Sequence, residues 1–375
     1  MNLKKSLLIF FLSLSILIAC SHYPLNSNSL QEIAADNSNF QYIGRVNWQN
    51  PQAPIFSFPA TAARFNFEGT TLKLKLADDN WGGTNYIGVY LDDNPVPIII
   101  NLDNDVQPQM YSVAEGLEDR IHQALVIKRN DYVTGEFSFH GIAIDANKNL
   151  RPPEIKTNRK IEVYGDSISS GSVVEYEQTS TQDPEGDTNN LSNGYLSFGA
   201  MLARDYQAQL SLIAQAGISL VDGYGFWNNG TGMEMVYDKI KPLKDAPRWD
   251  FGQYIPNLVI IALGQNDSAT IDLNSDLNSI QWQEHYQSFL LDLRSKYPNA
   301  YFVCMFPNMF HDRVWDNYLT AAVARYKNEH NDDQVYSLIT EQVTPGHPRV
   351  SEQKLMADAL KNLIETTLVP AGFNW

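Results

Sequence analysis

The chain contains 375 residues, with 27 Lys and Arg against 43 Asp and Glu, which gives a formal net charge of −16 at pH 7. This length suffices for two domains of ordinary size. An acidic surface without a basic tract argues against nucleic acid as a partner and against electrostatic attachment to anionic lipid, whereas weakly charged polymers such as plant polysaccharides remain suitable partners.

Residues 1–19 show the pattern of a cleaved signal peptide. Lys4 and Lys5 precede an apolar run that ends at Ala19, and Cys20 stands directly after the expected cleavage site. The apolar run is short for a permanent membrane span. The pattern resembles a bacterial lipoprotein signal, which implies cleavage before Cys20, a lipid on its sulfur and attachment to the membrane through that lipid. An ordinary secretory signal with an incidental cysteine is the alternative.

The residues that follow the cleavage site predict a polar tether, rich in Ser and Asn, over residues 20–39. Ser21 in place of an acid resembles the sorting pattern of outer-membrane lipoproteins, so we expect a lipoprotein of the cell envelope, at the outer membrane. Besides Cys20 the sequence has only Cys304, which leaves no internal disulfide once Cys20 carries lipid. Cys304 lies in an apolar run and is expected to be a small buried residue.

Residues 40–150 predict a β-sandwich domain. Short segments alternate apolar with polar or small residues, and turn residues separate them. A period of two with little helical signal is typical of antiparallel sheets with one buried face, and a jelly-roll is the expected form. The alternating segments are 65–67, 71–76, 86–91, 124–128 and 136–144.

A second domain, residues 154–375, follows a boundary at Arg151-Pro152-Pro153, where consecutive prolines favour an extended link. Strand-like and helix-like segments alternate in it, which predicts a three-layer α/β fold with a parallel sheet. Polar insertions at 174–193 and 222–254 interrupt the alternation, and such insertions often shape a binding cleft. The predicted strands are 160–164, 209–213, 258–263, 300–306 and 334–338, and the predicted helices are 195–206, 282–296, 315–330 and 351–366.

Residues with catalytic chemistry follow three of these strands and precede the last helix. Ser167 comes after the first strand, Gly217 after the second and Asn266 after the third, and His347 lies before the helix. The carboxyl ends of parallel strands meet at one edge of a sheet, so we expect one shared crevice. There His347 would act as general base and then general acid for the nucleophile Ser167. The backbone amides of Ser167 and Gly217 and the side-chain amide of Asn266 would stabilise the oxyanion.

Two carboxylates beside these residues are expected to support the site without reacting. Asp166 can cap the turn or the following helix, and Asp267 is interpreted as a similar support. No metal site is expected, because the histidines are scattered and Cys304 has no thiol partner. Acyl transfer by a serine needs no cofactor, so none is expected.

Each of these motifs is common by chance, and their joint order carries the hypothesis. Together they resemble the four sequence blocks of the SGNH (GDSL-type) hydrolases, and the sandwich placed before them is similar to carbohydrate esterase family two. That resemblance covers nearly the whole chain after the signal peptide. It implies acetyl esterase activity on xylan and other acetylated glycans, and several members of the family prefer the primary O6 position of a sugar. The matching segments are Gly165-Asp166-Ser167, Gly217, Gly264-Gln265-Asn266-Asp267, His347-Pro348 and, early in the sandwich, Tyr42-Ile43-Gly44-Arg45.

One position departs from the SGNH pattern. Most members carry an Asp three residues before the catalytic His, where this chain has Thr344. An orienting carboxylate can be worth about ten thousandfold in turnover, so another group must hold His347. Because some members of the resembled family use backbone carbonyls instead, we expect a Ser-His dyad, with Glu341 or a more remote Asp as possible substitutes.

The sequence therefore predicts a lipid-anchored serine esterase that removes acetyl groups from plant-type glycans through an acyl-Ser167 intermediate. A peptidoglycan O-acetyl esterase would share the chemistry and differ in the glycan, and a GDSL-type lipase or esterase would prefer longer acyl chains. From another class, a surface glycan-binding protein with a weak or inactive hydrolase domain is compatible with the missing Asp.

Overall fold

The structure is a computed structural model that describes residues 29–92, 94–341 and 344–375. The predicted signal peptide, Cys20 and the first part of the predicted tether lie outside the described residues. Within these ranges, no helix combines the length and the apolar composition that crossing a membrane requires.

The amino-terminal domain is a sandwich of two six-stranded antiparallel sheets, which confirms the predicted fold class. Its strands are β1 Leu30–Ala34, β2 Gln41–Ile43, β3 Val46–Asn47, β4 Ile55–Phe56, β5 Ala62–Gly69, β6 Leu72–Asp79, β7 Tyr86–Leu91, β8 Ile98–Asn101, β9 Gln109–Ala114, β10 Arg120–Lys128, β11 Glu136–Asp145 and β12 Leu150–Arg151. One sheet has the order β3-β4-β11-β6-β9 with β1 also on β11, and the other has the order β12-β5-β10-β7-β8 with β2 also on β5. The alternating residues of both sheets fill one core, with Leu74 and Phe137 from the first and Phe67 and Val126 from the second.

The predicted tether is wrong over residues 30–39, which belong to the sandwich. β1 pairs antiparallel with β11, from Leu30 opposite Asp145 to Ala34 opposite Gly141. Ala35 and Phe40, which follow, are buried in the core. This edge strand gains backbone hydrogen bonds from its neighbour, so it forms without the long apolar run that would have marked it in the sequence.

The second domain has the predicted three layers around a parallel sheet. Its strands are β13 Lys160–Gly165, β14 Gln209–Ala214, β15 Leu258–Ala262, β16 Tyr301–Phe306 and β17 Val335–Ile339, in the order β14-β13-β15-β16-β17. The helices are α1 Ser167–Ser170, α2 Phe198–Asp205, α3 Gln265–Thr270, α4 Ser279–Lys296, α5 Val314–His330 and α6 Val350–Leu363, and a π-helical turn, Ile364–Leu368, continues α6. Apolar residues of α4 and α5 cover one face of the sheet, and those of α2 and α6 cover the other. Cys304 of β16 is fully buried, as predicted, and burial raises the pKa of its thiol to about 12.

The strand order reverses at β13, since β14 lies on one side of it and β15 on the other. In open α/β sheets, ligands bind beyond the carboxyl ends of the strands at such a switch point. The fold therefore points to the loops after β13, β14 and β15 as the place for a site.

The two domains share a buried interface. Ile127 of the sandwich belongs to the same apolar cluster as Met201 of α2. Arg45, also from the sandwich, is buried and donates to the carbonyls of Tyr237 at 2.6 Å and Lys239 at 2.8 Å in the second domain. Because a buried charge is costly without partners, these contacts tie the two domains to a single relative arrangement.

Candidate active site

Ser167 is the first residue of α1, directly after β13. Asp166 caps this helix, because its Oδ1 accepts the amide of Ile168 at 3.0 Å. A backbone N–H in the first turn of a helix has no intrahelical acceptor, so the amide of Ser167 is available to a ligand. Ser167 is 8% exposed and lines a cleft of about 450 Å³, which also contains Gly217, Asn266 and His347. The four residues that the sequence assigned to one crevice are thus together.

His347 is oriented by a carboxylate, so the prediction of a Ser-His dyad held by backbone carbonyls is wrong. Oδ2 of Asp183 lies 2.5 Å from His347 Nδ1, and Oδ1 of the same side chain accepts the backbone N–H of His347 at 3.0 Å. A carboxylate on Nδ1 places the proton there and leaves Nε2 as the basic nitrogen. Asp183 lies in the 174–193 insertion, which the sequence predicted to shape the cleft.

Arg349 holds the loop that carries Asp183. Its buried guanidinium donates from Nη1 to Asp183 Oδ1 at 2.8 Å and to the carbonyl of His347 at 2.5 Å. It also donates to the carbonyls of Gln178 at 3.1 Å and Gln182 at 3.2 Å. Arg349 therefore holds the insertion at the carboxylate itself and at two positions that precede it in the chain.

Burial alone would raise the pKa of Asp183, but the hydrogen bonds from His347 and Arg349 and the charge of His347 outweigh it and lower that pKa well below its usual range. Asp183 stays ionised as a result, which suits a group that stabilises an imidazolium. Among the described residues no hydrogen bond joins Ser167 to His347, and in serine enzymes without substrate this bond is often long.

Thr344, at the position where an Asp was expected, has a structural role. Its hydroxyl donates to the carbonyl of Gly346 at 2.8 Å, and its own carbonyl accepts the amide of Phe310 at 2.7 Å. Thr344 is buried. It therefore closes the turn before His347 and takes no part in orienting the ring.

Gly217 and Asn266, the other two predicted oxyanion-hole residues, line the same cleft as Ser167. Gly217 has a φ of +77°, a conformation that favours glycine, and its N–H has no acceptor in the described part of the chain. Asn266 Nδ2 donates to the carbonyl of Ile218 at 2.9 Å and lies 3.4 Å from Asp166 Oδ2. The first contact fixes the amide, and the second places it beside the residue that precedes Ser167.

Asp267 supports the loop after β14. Its Oδ2 accepts the amide of Leu220 at 2.8 Å, and its Oδ1 accepts Val221 N at 3.2 Å and Trp282 Nε1 at 3.1 Å. Burial raises its pKa, and these donors oppose the increase. Burial likewise raises the pKa of Asp166 to about 7, against the Ile168 amide and the charge of His347.

Most of the residues that line the cleft have polar side chains. Loop residues of the 174–193 insertion form one side, and the sandwich contributes part of another. Of the aromatic residues near this edge, Trp315 is buried, whereas Phe310 and the cleft-lining Phe226 are each 69% exposed. The other polar lining residues are Asn130, Asp131, Ser170, Ser172, Thr188, Asn189, Ser192 and Gln265.

Two family models match the chain on either side of its domain boundary. Residues 42–153 match the carbohydrate esterase 2 N-terminal domain, and residues 161–335 match the GDSL-like lipase/acylhydrolase domain. The chain therefore contains a carbohydrate esterase 2 N-terminal domain followed by a GDSL-type (SGNH) hydrolase domain. The first match covers most of the sandwich, and the second covers Ser167, Gly217 and Asn266.

Several named relatives are similar to this protein over most of its length. It is 28% identical over 347 residues to cellulase/esterase CelE of Acetivibrio thermocellus, which covers 89% of the chain but only 40% of CelE. It is 26% identical over 337 residues to an acetylxylan esterase / glucomannan deacetylase of Cellvibrio japonicus, which covers 84% of the chain and 88% of that protein.

The solved structures that are similar to this chain include family two carbohydrate esterases. A family two carbohydrate esterase from Clostridium thermocellum in complex with cellohexaose has a TM-score of 0.76 at 25% identity and covers 88% of the hydrolase and 99% of that chain. A family two carbohydrate esterase from Cellvibrio japonicus has a TM-score of 0.77 at 22% identity, covering 90% and 98%, and shows the fold alone.

Proposed function

We propose that this hydrolase is a serine esterase that removes O-acetyl groups from polysaccharides. The observation that carries the proposal is the Asp183–His347 pair in one cleft with Ser167, Gly217 and Asn266. The family matches favour an ester of a carbohydrate as the substrate. The glycan-binding alternative depended on a missing orienting carboxylate, and Asp183 removes its basis.

In the acylation half of the proposed reaction, Ser167 Oγ attacks the acetyl carbonyl while His347 Nε2 takes the hydroxyl proton. The oxyanion that forms is stabilised by the amides of Ser167 and Gly217 and by Asn266. Asp183 stabilises the imidazolium. The C–O bond to the sugar then breaks, and the sugar oxygen leaves with the proton that His347 returns.

Deacylation repeats these roles with water. His347 takes a proton from a water molecule, whose oxygen attacks the acetyl-Ser167 ester through the same oxyanion site. The bond to Ser167 Oγ breaks, His347 returns the proton to that oxygen, and acetate leaves. The protein's own side chains supply every proton transfer.

The polar side chains that line the cleft favour a sugar over a lipid. Eight uncharged or acidic polar side chains of the kind that bond sugar hydroxyls line the cleft besides the catalytic groups, whereas a long acyl chain needs a continuous apolar channel. Two relatives are named acetylxylan esterase / glucomannan deacetylase, which supports acetylated plant polysaccharide as the substrate class.

Acetate release tests this proposal. The protein without residues 1–20 would be assayed on acetylated xylan, glucomannan and peptidoglycan, and on nitrophenyl esters of short and long acids. We expect release from the plant glycans and from nitrophenyl acetate, and loss of both in Ser167→Ala and His347→Ala. Release only from peptidoglycan, or a preference for long acyl esters, would favour the corresponding alternative. No turnover on any ester would refute the esterase.

We further propose that Cys20 carries the lipid that attaches the protein to the outer membrane. The apolar run before Cys20 and the serine after it support this assignment. Mass spectrometry of the protein from membranes of producing cells should give a diacylated amino-terminal Cys20. A Cys20→Ser protein should lose the lipid, and an unmodified amino terminus elsewhere in the wild-type protein would contradict the anchor.

A further inference from the structure

One carboxylate of the sandwich domain lies in the catalytic cleft. Asp131 follows β10 and caps the 3₁₀ turn Tyr132–Thr134, and it lines the cleft together with Ser167 and Gly217. It is only 4% exposed. No step of the proposed reaction uses its oxygens, so its presence among the catalytic groups needs another explanation.

Both oxygens of Asp131 accept backbone N–H groups, one from each domain. Oδ1 accepts Val133 N at 3.0 Å within the sandwich. Oδ2 accepts Ala216 N at 2.7 Å in the loop after β14. Two hydrogen bonds in different directions fix the orientation of a carboxylate, and through it the position of the Ala216 peptide.

Ala216 immediately precedes Gly217, whose N–H is a proposed oxyanion donor. On the other side, Asn266 Nδ2 holds the carbonyl of Ile218 at 2.9 Å. The carbonyl of Gly217 accepts two amides from the 222–254 insertion, at 2.7 and 3.1 Å. The Gly217 peptide is therefore held at both neighbours, and Asp131 is the contact that comes from the sandwich.

We infer that Asp131 is a positioning residue that sets the direction of the Gly217 N–H by holding the preceding amide. This inference rests on the proposed function, because it assigns Asp131 a part in stabilising the oxyanion. Such donors act only when they already point to the place where charge develops. The sandwich domain is then part of the catalytic apparatus as well as a neighbour of the glycan.

Lys128 lies beside Asp131 and offsets the negative charge of its carboxylate. A lone negative charge would oppose an oxyanion, but the buried Lys128 Nζ donates to the backbone carbonyl of Asp131 at 3.1 Å. Burial lowers the pKa of Lys128 to about 8, although the charge of Asp131 opposes this. When both groups are ionised, the positive charge of Lys128 offsets the negative charge of the Asp131 carboxylate.

Three variants separate positioning from simple attachment of the domains. Asp131→Ala removes both acceptors, whereas Asp131→Asn keeps a single acceptor oxygen and can hold one of the two amides. Lys241→Met is the control, because Lys241 Nζ bonds Glu136 Oε1 of the sandwich at 3.0 Å and so joins the same two domains without contacting Ala216.

For Asp131→Ala we expect kcat on nitrophenyl acetate to fall by about 10- to 100-fold, less than for loss of a donor, with KM within about twofold. The affinity for a boronic acid that mimics the tetrahedral intermediate should fall in proportion. The kcat of Asp131→Asn should lie between those of the wild type and Asp131→Ala. Lys241→Met should lower the Tm without changing kcat. A kcat within about threefold of wild type in Asp131→Ala, or an equal loss in Lys241→Met, would overturn the inference.

Amide hydrogen exchange tests the positioning even if the protein hydrolyses nothing. In Asp131→Ala the protection of the Ala216 amide should be lost and the resonance of Gly217 should shift, while β14 keeps its protection. Unchanged exchange at Ala216 would refute the inference. Absence of turnover with altered exchange would instead refute the proposed function and leave the positioning role intact.

Discussion

At the scale of single residues, Asp183 determines how His347 works. One oxygen faces Nδ1 of the ring, and the other accepts the His347 backbone amide and the guanidinium of Arg349. The carboxylate is thus bound to the loop on which the base itself sits. Because its pKa is lowered in the folded protein, this group contributes stability above the pKa of an unfolded Asp, and the contribution is lost as the pH falls through the folded pKa.

Replacing Asp183 by Asn should lower kcat by about a hundred- to ten thousandfold, because the amide cannot stabilise the imidazolium and favours the wrong tautomer. KM should change little, because Asp183 touches the base and not the sugar. Steady-state kinetics on nitrophenyl acetate measure both. Glu185→Gln is the matched control, since it removes one charge from the same loop at an exposed side chain. Equal activity of the two variants would contradict the triad.

Asp166→Asn should change how stability depends on pH. The raised pKa, about 7, means that the folded protein binds more protons than the unfolded chain between about pH 4 and 7, so this group makes stability fall as the pH rises across that window. Asn caps a helix equally well and does not ionise. Relative to wild type, the free energy of unfolding of the variant should therefore rise by up to about 1.4 kcal/mol for each pH unit of increase across that window. Urea unfolding at pH 5 and pH 7.5 measures this, and a difference that stays constant with pH would contradict it.

The sequence was enough to predict the site residues that follow strand ends. It was not enough to predict a site residue that comes from an insertion. Ser167, Gly217 and Asn266 follow predicted strands, so topology alone brought them together. Asp183 approaches His347 across 164 positions, from a polar insertion without periodicity. An acid in such a loop has many possible partners, and only the path of the loop, set by contacts such as those of Arg349, selects one.

At the scale of elements, the loop after β14 is the most constrained part of the site. A Cβ on Gly217 would lie 3.1 Å from Phe226 Cβ and 3.2 Å from Trp227 N. The positive φ adds backbone strain for any other residue. Space and conformation both demand glycine there, because the turn must present its N–H to the cleft.

Gly217→Ala should therefore lower both stability and turnover, with an expected loss in kcat of about a hundredfold as the N–H moves from the oxyanion position. Gly223→Ala is the control, since Gly223 also has a positive φ, +91°, but nothing within 4 Å of its Cβ. Both variants should lose about 1 kcal/mol from backbone strain. Thermal melts and kcat on nitrophenyl acetate would be compared. A similar kcat for both variants would contradict a role of the Gly217 N–H in stabilising the oxyanion.

Among the elements, β1 is the strand that lies where the sequence pattern predicted a polar tether. Leu30–Ala34 has an alternating pattern, but its inward positions are only partly buried and polar residues follow it closely. Its place in the fold comes from pairing with β11, a strand more than 100 residues later. Edge strands of this kind depend on backbone hydrogen bonds, which leave little trace in composition.

At the scale of the whole molecule, Arg45 joins the two domains through a buried polar network. Its Nη2 lies 3.4 Å from Glu162 Oε1 in β13, and both side chains are fully buried. The Glu162 carboxylate also accepts the hydroxyls of Tyr164 at 2.7 Å, Tyr297 at 2.6 Å and Ser211 at 2.9 Å. The network crosses from the sandwich into the centre of the catalytic sheet, so the relative position of the domains depends on it.

Arg45→Met should lower the free energy of unfolding by about 3–5 kcal/mol, because it leaves the charge of Glu162 buried without its cation. Glu162→Gln should be destabilising for the converse reason, since Arg45 then keeps only neutral partners. In the double variant no unpaired charge remains, so its loss should be clearly smaller than the sum of the two single losses. Urea unfolding of the four proteins measures this coupling. Additive losses would mean that the pair does not act as a unit, and that the other partners of Arg45, such as the carbonyls of Tyr237 and Lys239, hold it in the second domain.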